Sequence, residues 1–228
     1  MFWSFCAPKG GVGTSVVAAS VAVESAKNTP TVLVDFGGDV AQILGVDTTD
    51  RHGVNDWLAA SGDVGVESLN HLEIEVAPNL VLMPRGSSAT HMVPVERATQ
   101  LVHGLNSNDR TVIADVGVFS GTADPRSIVC VTGDRTTCVI RACYLALAKF
   151  KDMTVLVDDV VEIEEPGRAL RTIDIEAVVA MEVSARIPYD PAIARLVDAG
   201  LLQRRMPRAL RRNVRALLRA SQPIEVGL

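Results

Sequence analysis

Phe2-Trp3-Ser4-Phe5-Cys6-Ala7-Pro8-Lys9-Gly10-Gly11-Val12-Gly13-Thr14-Ser15-Val16-Val17-Ala18-Ala19-Ser20-Val21-Ala22 is the stretch that decides the fold. An apolar run too short for a helix passes into a turn with glycine at 10, 11 and 13, and then into a helical pattern. Anion binding needs this order. Glycines let backbone N–H groups turn inward, and the free amides of a helix N-terminus point at the anion. A ligand-free glycine turn is the alternative, but Lys9 beside the glycines and Ser15 at the helix start favour a phosphate loop.

The alternation continues downstream. Short apolar runs at Met1 to Cys6, Thr31 to Asp35, Leu80 to Met83, Thr111 to Asp115, Ile128 to Thr132, Met153 to Val157 and Val183 to Ile187 predict buried parallel strands. Between them, 3.6-residue spacing predicts helices over Ser15 to Lys27, Val93 to Leu105, Thr136 to Lys149 and Ile173 to Ala180. The economical fold is α/β: a doubly wound, mainly parallel sheet with helices on both faces. Between Asp47 and Ala77, Trp57 to Ala60 predicts a short helix and the alternating Leu72 to Val76 an edge strand; no function is legible there.

The 228 residues carry no repeat or long linker, so one domain over 1–228 is expected, and 48% hydrophobic content supplies its core. A net charge of -5 argues against wholesale nucleic-acid binding, though it can hide a local basic patch. Cys6, Cys130, Cys138 and Cys143 lack zinc-ligand spacing and are expected as reduced thiols, with Cys6 and Cys130 on strands. His52, His71, His91 and His103 are scattered, and no Ser/His/Asp or Cys/His arrangement can be assembled. No leader or membrane-length apolar run is present, which points to the cytoplasm.

Lys9-Gly10-Gly11-Val12-Gly13-Thr14-Ser15 resembles the deviant Walker A loop of the ParA/MinD superfamily, Lys-Gly-Gly-x-Gly-Lys-Ser/Thr. The resemblance implies a P-loop nucleotide-binding domain that takes ATP and Mg²⁺ and forms a homodimer. Gly10, Gly11, Val12, Gly13 and Thr14 would surround the phosphates, Lys9 would match the signature lysine that reaches the partner's nucleotide, and Ser15 would ligate Mg²⁺. Asp115, ending Thr111-Val112-Ile113-Ala114-Asp115, would match the Walker B aspartate that holds Mg²⁺ through water, and Asp35 the first carboxylate of the family's Asp-x-Asp pair. Pro188 and Asp190, within Arg186-Ile187-Pro188-Tyr189-Asp190-Pro191-Ala192-Ile193, would match a stretch that lines the base pocket.

Three departures bear on activity. Thr14 stands where the family has the lysine that grips the terminal phosphates, and losing one charge-assisted hydrogen bond of about 1.5 to 3 kcal/mol would weaken ATP roughly ten- to a hundred-fold. Gly37 stands in place of the second carboxylate, the one that positions the attacking water; Gly38-Asp39 is similar to a Gly-Asp pair that precedes the family's next helix. The switch after Asp115 reads Val116-Gly117-Val118-Phe119-Ser120-Gly121 instead of x-Pro-Pro-Gly. Thr in the form Lys-Gly-Gly-Val-Gly-Thr resembles the TadZ/CpaE branch, which places pilus and secretion machinery at a pole. The implied function is nucleotide-dependent positioning with weak ATP binding and slow hydrolysis, together with a protein partner in a localised machine and recruitment to a pole, nucleoid or membrane surface. The competing reading is a dimeric pseudo-ATPase scaffold.

The stretch 204–220 reads as a basic amphipathic helix with Arg204, Arg205, Arg208, Arg211, Arg212, Arg215 and Arg219, Pro207 placed to start it, and Leu210, Val214, Leu217 and Leu218 on one face. It is either the last helix of the domain with solvated arginines, or a contact for DNA, an anionic membrane or an acidic protein through Arg208, Arg211, Arg212 and Arg215. The apolar face is short and lacks Trp or Phe, which disfavours membrane insertion.

Overall fold

The computed structural model describes residues 1–61, 64–88, 95–106, 109–119 and 126–221. Parts of three sequence readings, His91, the first two residues of the Val93 to Leu105 helix and Ser120-Gly121, lie outside the described residues.

Central strands buried on both faces must be apolar without alternation. Phe2–Ala7 (β1), Thr31–Asp35 (β2) and Leu80–Met83 (β4) meet this rule, as does Thr111–Val118 (β5) over its first six residues. Arg135–Ile140 (β6), Asp159–Glu164 (β7) and Val183–Pro188 (β8) extend the sheet to one side, and Ile74–Ala77 (β3) closes the other. Among the described residues the sheet runs β3-β4-β2-β5-β1-β6-β7-β8, parallel throughout except for β3, which is antiparallel to β4.

Side chains alternate between two apolar layers. Trp3, Phe5, Leu33, Ile113 and Val139 face Thr14–Ser25 (α1), Val40–Leu44 (α2), Leu202–Arg205 (α9) and Arg208–Ala220 (α10). Phe2, Val32, Val34, Val112 and Ile140 face Val54–Ala59 (α3), Val95–Asn106 (α4), Arg126–Thr132 (α5), Tyr144–Lys151 (α6) and Thr172–Val179 (α7). Pro191–Asp198 (α8) follows β8 and packs Ile193 and Val197 against the first layer. Helices therefore cover both faces, as expected.

Three expected elements are otherwise. Ile128 to Thr132 is helix α5, with Val129 and Cys130 buried and Val131 exposed; a five-residue apolar run has no period that separates strand from helix. Thr136 to Lys149 is not one helix. Its β-branched Thr136, Thr137, Val139 and Ile140 are in buried strand β6, and only its end is helical. Met153 to Val157 is irregular, and the strand lies just beyond it as β7. Acidic residues hid β7: Asp159 pairs with Arg135 and accepts from Ser184 at 3.0 Å, and Glu162 accepts from Thr172 at 2.7 Å, so their burial is compensated.

The segment after α2 has a structural role. Trp57 is buried beneath the Arg97 guanidinium, 3.6 Å from its ring centroid, and Arg97 donates to the Trp57 and Val64 carbonyls. Asp56 ties α3 to the end of β4 by accepting from the Gly53, Ser87 and Ser88 amides at 2.8 to 3.2 Å. Burial raises its pKa, but these hydrogen bonds outweigh it and hold the carboxyl at about 2. Among the described residues, no helix is long and apolar enough to cross a membrane.

Candidate nucleotide site

In an open parallel sheet ligands sit beyond the carboxyl ends of the strands. Here a cleft of about 740 Å³ lies at that edge, and Lys9, Gly10, Gly11, Val12, Gly13, Thr14 and Ser15 form one of its walls. Gly11 and Gly13 hold φ of +74° and +104°, a region that side chains disfavour and that this reversal between β1 and α1 requires. Gly13 is the N-cap of α1 and has no side chain to offer, so the first amides of the helix are left for a ligand. Pro188 and Asp190 line the same cleft. Asp190 also caps α8, accepting from the Ala192 amide at 2.8 Å, with Pro191 at the first helical position.

Asp35, the last residue of β2, and Asp115, within β5, are paired in register, both buried and neither in the cleft wall. Asp35 accepts from the Gly38 amide at 2.5 Å and the Val40 amide at 3.0 Å; burial nevertheless pushes its pKa up to about 6. Asp115 is pushed up to about 7, first by burial and then by the Asp35 charge, against the Ser15 hydroxyl and Gly117 amide that favour its ionised form. Its Oδ1 accepts from Gly117 at 3.2 Å, whereas Oδ2 is buried with no hydrogen-bond partner among the described residues.

An orphaned carboxylate oxygen close to the Ser15 hydroxyl is the donor set a hard cation takes. Among the described residues no cluster of three His, Cys, Asp or Glu forms a metal site, so the residues fit Mg²⁺ completed by phosphate oxygens and water, not a protein cage. Gly37 closes over the pair: a Cβ added there would stand 3.3 Å from Asp115 Oδ2 and 3.7 Å from Asp35 Oδ1. Asp39 lines the cleft and directly precedes α2. Thr14 is buried at the first position of α1.

Two cleft residues were not legible in the sequence. Arg126, at the start of α5, donates to the Val116 and Val118 carbonyls at 3.0 and 3.2 Å and so braces the end of β5. Arg141 follows β6 and reaches the loop, its Nε donating to the Val12 carbonyl at 3.4 Å. The strand ending at Ile140 would have marked Arg141 as an edge residue; reading that stretch as helix concealed it.

Solved structures share this architecture over nearly the whole chain. They include a ParA family ATPase from Chlorobium tepidum TLS, 21% identical, covering 95% of this chain and 99% of that one with a TM-score of 0.75. The septum site-determining protein MinD from Pyrococcus horikoshii OT3, in complex with Mg-ADP, is 16% identical and covers 96% and 95%, also with a TM-score of 0.75. An ATP complex of McdA from Cyanothece is 13% identical over 99% of both chains, with a TM-score of 0.71. The fold is that of the ParA and MinD ATPases. At these identities the likeness is one of fold; no family model matches the sequence, and no curated protein matches it. Within the ParA/MinD fold, this chain brings its glycine loop, buried carboxylates and Pro188–Asp190 segment to one edge of the sheet.

Proposed function

We propose that this chain binds ATP with Mg²⁺ in the cleft and works as a nucleotide-dependent positioning protein of the ParA/MinD kind, with weak affinity and slow or absent hydrolysis. The observation that carries the reading is Asp115 Oδ2, a buried carboxylate oxygen without a hydrogen-bond partner among the described residues, close to Ser15 at the start of a helix that no side chain caps. The Mg-ADP and ATP complexes of MinD and McdA with this fold support the choice of ligand.

The residues divide the work. Amides of the glycine loop and the start of α1 would hold the phosphates, Ser15 and Asp115 would orient Mg²⁺, and the Gly38 and Val40 amides keep Asp35 fixed below. Mg²⁺, when bound, offsets phosphate charge and makes ionisation of Asp115 favourable. Gly37 offers no carboxylate to orient an attacking water and Thr14 no ammonium to meet the terminal phosphates, so the chain is built to bind more than to turn over.

A scaffold that neither needs nor cleaves ATP is the second reading, favoured by the same Thr14 and Gly37. Homodimerisation is common to both readings, whereas the TadZ/CpaE relationship suggested by Lys-Gly-Gly-Val-Gly-Thr and service to a localised machine belong to the first. A MinC:MinD complex exists for a protein of this fold from Aquifex aeolicus. Lys9 lines the cleft and among the described residues is tied only to the Gly10 carbonyl at 3.3 Å, so it would be available to a partner's nucleotide.

Calorimetry with ATP, with and without Mg²⁺, separates the two. Measurable binding that strengthens with Mg²⁺, and roughly ten- to a hundred-fold tighter binding in Thr14→Lys, is expected. No binding by the folded parent, together with no gain in a folded Thr14→Lys, would leave the scaffold.

A further inference from the structure

A second cavity lies where β2 and β4 end, two strands away from β1 and its glycine loop. The Asp35 to Asp39 segment divides it from the first cleft. Gly37 and Asp39 line that cleft, whereas Asp35 and Gly38 line the second cavity, a polar space of about 520 Å³ that also takes in Asp50, Arg51, His52 and Arg85.

Arg85 is held in place at both backbone and stem. The Pro84 carbonyl accepts from the Val54 amide at 2.8 Å, and the Arg85 carbonyl from the Asn55 amide at 2.9 Å, which fastens this end of β4 to α3. The side chain then lies against Gly38, where an added Cβ would stand 3.0 Å from Cδ and 3.3 Å from Nη1. Arg51 leaves a turn that its own amide closes, donating to the Thr48 carbonyl at 3.1 Å, with Asp50 at φ +58°. Two guanidiniums are thus brought to one cavity from different parts of the chain.

Their charge is not spent within the protein. Among the described residues neither guanidinium makes a hydrogen bond or an ion pair. The neighbouring carboxylates are engaged elsewhere: Asp35 accepts from the Gly38 and Val40 amides, and Asp47 from the Thr49 amide and hydroxyl at 2.9 and 2.7 Å. Asp50 sets one exposed carboxylate against the two cations. Arginine forks meet the oxygens of phosphate and carboxylate groups in pairs, and a cavity of this volume is of small-molecule size, larger than a bare oxyanion needs.

We propose that this cavity is a second ligand site, for a small organic molecule whose phosphate or carboxylate group is gripped by Arg51 and Arg85. It stands apart from the nucleotide reading of the first cleft and does not require it.

NMR titration of the full chain with glycerol phosphate and with succinate tests this, read at the backbone amides and at the arginine Nε–H signals. At least one probe is expected to bind with a Kd of about millimolar or tighter and to move the signals of Gly38, Arg51, Arg85 and Gly86. Arg51→Ala and Arg85→Ala, shown by thermal melting to be folded, are expected to weaken that probe about ten- to a hundred-fold. A response to glycerol phosphate alone marks the ligand as a phosphate ester and a response to succinate alone as a carboxylate; either result, or both together, supports the site. Shifts confined to residues 10–15, or equal affinity in the parent and both folded alanine variants, would assign the anion to the glycine loop and overturn the proposal. Unmoved cavity signals with both probes would overturn it as well, and neither result bears on ATP binding, which the calorimetry above reads separately.

Discussion

Asp115→Asn should stabilise the nucleotide-free protein at alkaline pH while weakening its Mg²⁺-dependent binding. Burial and the Asp35 charge hold this carboxyl at about 7 in the folded chain, against an ordinary value of 3.8. Below 3.8 both states are protonated and the substitution changes little. As pH rises from 3.8 to 7 the unfolded chain releases its proton freely and the folded chain does not, so the parent loses stability progressively; above 7 the cost is constant. A difference of this size corresponds to about 4 kcal/mol at most. Part of it is repulsion shared with Asp35, which also relaxes, so a gain of about 2 to 4 kcal/mol at pH 8 is expected, or roughly 5 to 15 °C in Tm. Urea denaturation with chelator at pH 4 and pH 8 reads it directly. A gain independent of pH, or a loss at pH 8, would refute the argument that Asp115 stays costly until a cation arrives. In the same variant, Mg²⁺ should no longer strengthen ATP binding.

Asp56→Ala should cost about 2 kcal/mol at neutral pH, because its depressed pKa contributes stability that is present above 3.8 and lost as pH falls through about 2; acid titration of the melting temperature against the parent measures it. Glu24→Gln should destabilise by about 1 to 3 kcal/mol in urea unfolding at pH 7, since Lys27, Arg211 and Arg215 all lose their partner; burial raises the Glu24 pKa but Lys27 and Arg215 outweigh it, so the difference should fade as pH drops through that lowered value. Arg208→Ala/Arg212→Ala should leave stability within about 0.5 kcal/mol per site by thermal melting, both side chains being exposed. If the basic face does contact duplex DNA, a salt titration of the same variant should flatten the log–log slope by roughly 0.9 per lost contact.

The sequence was most legible where one physical demand dominates. The Lys9 to Ser15 loop needs glycine in left-handed conformations between a strand and a helix, and the central strands need unbroken apolar runs; both demands are written in residue types, so β1, β2, β4, β5 and α1 were readable. It was least legible between 126 and 164. There α5 buries only Val129 and Cys130, β6 carries threonines, and β7 buries Asp159 and Glu162 against partners far off in sequence. A pairing such as Arg135 with Asp159 has no local signature, and without β6 in register the role of Arg141 has none either. Gly37 stands where the resemblance implies a carboxylate; its closeness to Asp35 and Asp115 needed coordinates.

The C-terminal helix shows how two readings of one pattern divide among its residues. Leu210, Val214 and Leu217 are buried against the layer that contains α1, which is the behaviour of a last structural helix. Yet its arginines are not simply solvated. Arg215 donates to Glu24 at 2.5 Å, and Arg211 stands 3.7 Å from the same carboxylate while its Nη2 donates to the Met206 carbonyl. Glu24 lies at the far end of α1, the helix whose first residues are Thr14 and Ser15. Two of the four arginines expected on an anionic surface, the partly buried Arg211 and the exposed Arg215, are thus paired with α1, and Arg208 and Arg212 are exposed as well. Holding α1 in place from its C-terminal end limits how far its N-terminal amides can shift, which matters most if the loop, with threonine at position 14, binds phosphate as proposed and relies on backbone geometry. Any surface that competed for Arg211 or Arg215 would have to release Glu24, so contact at the tail and order at the phosphate loop would oppose one another through a single buried carboxylate.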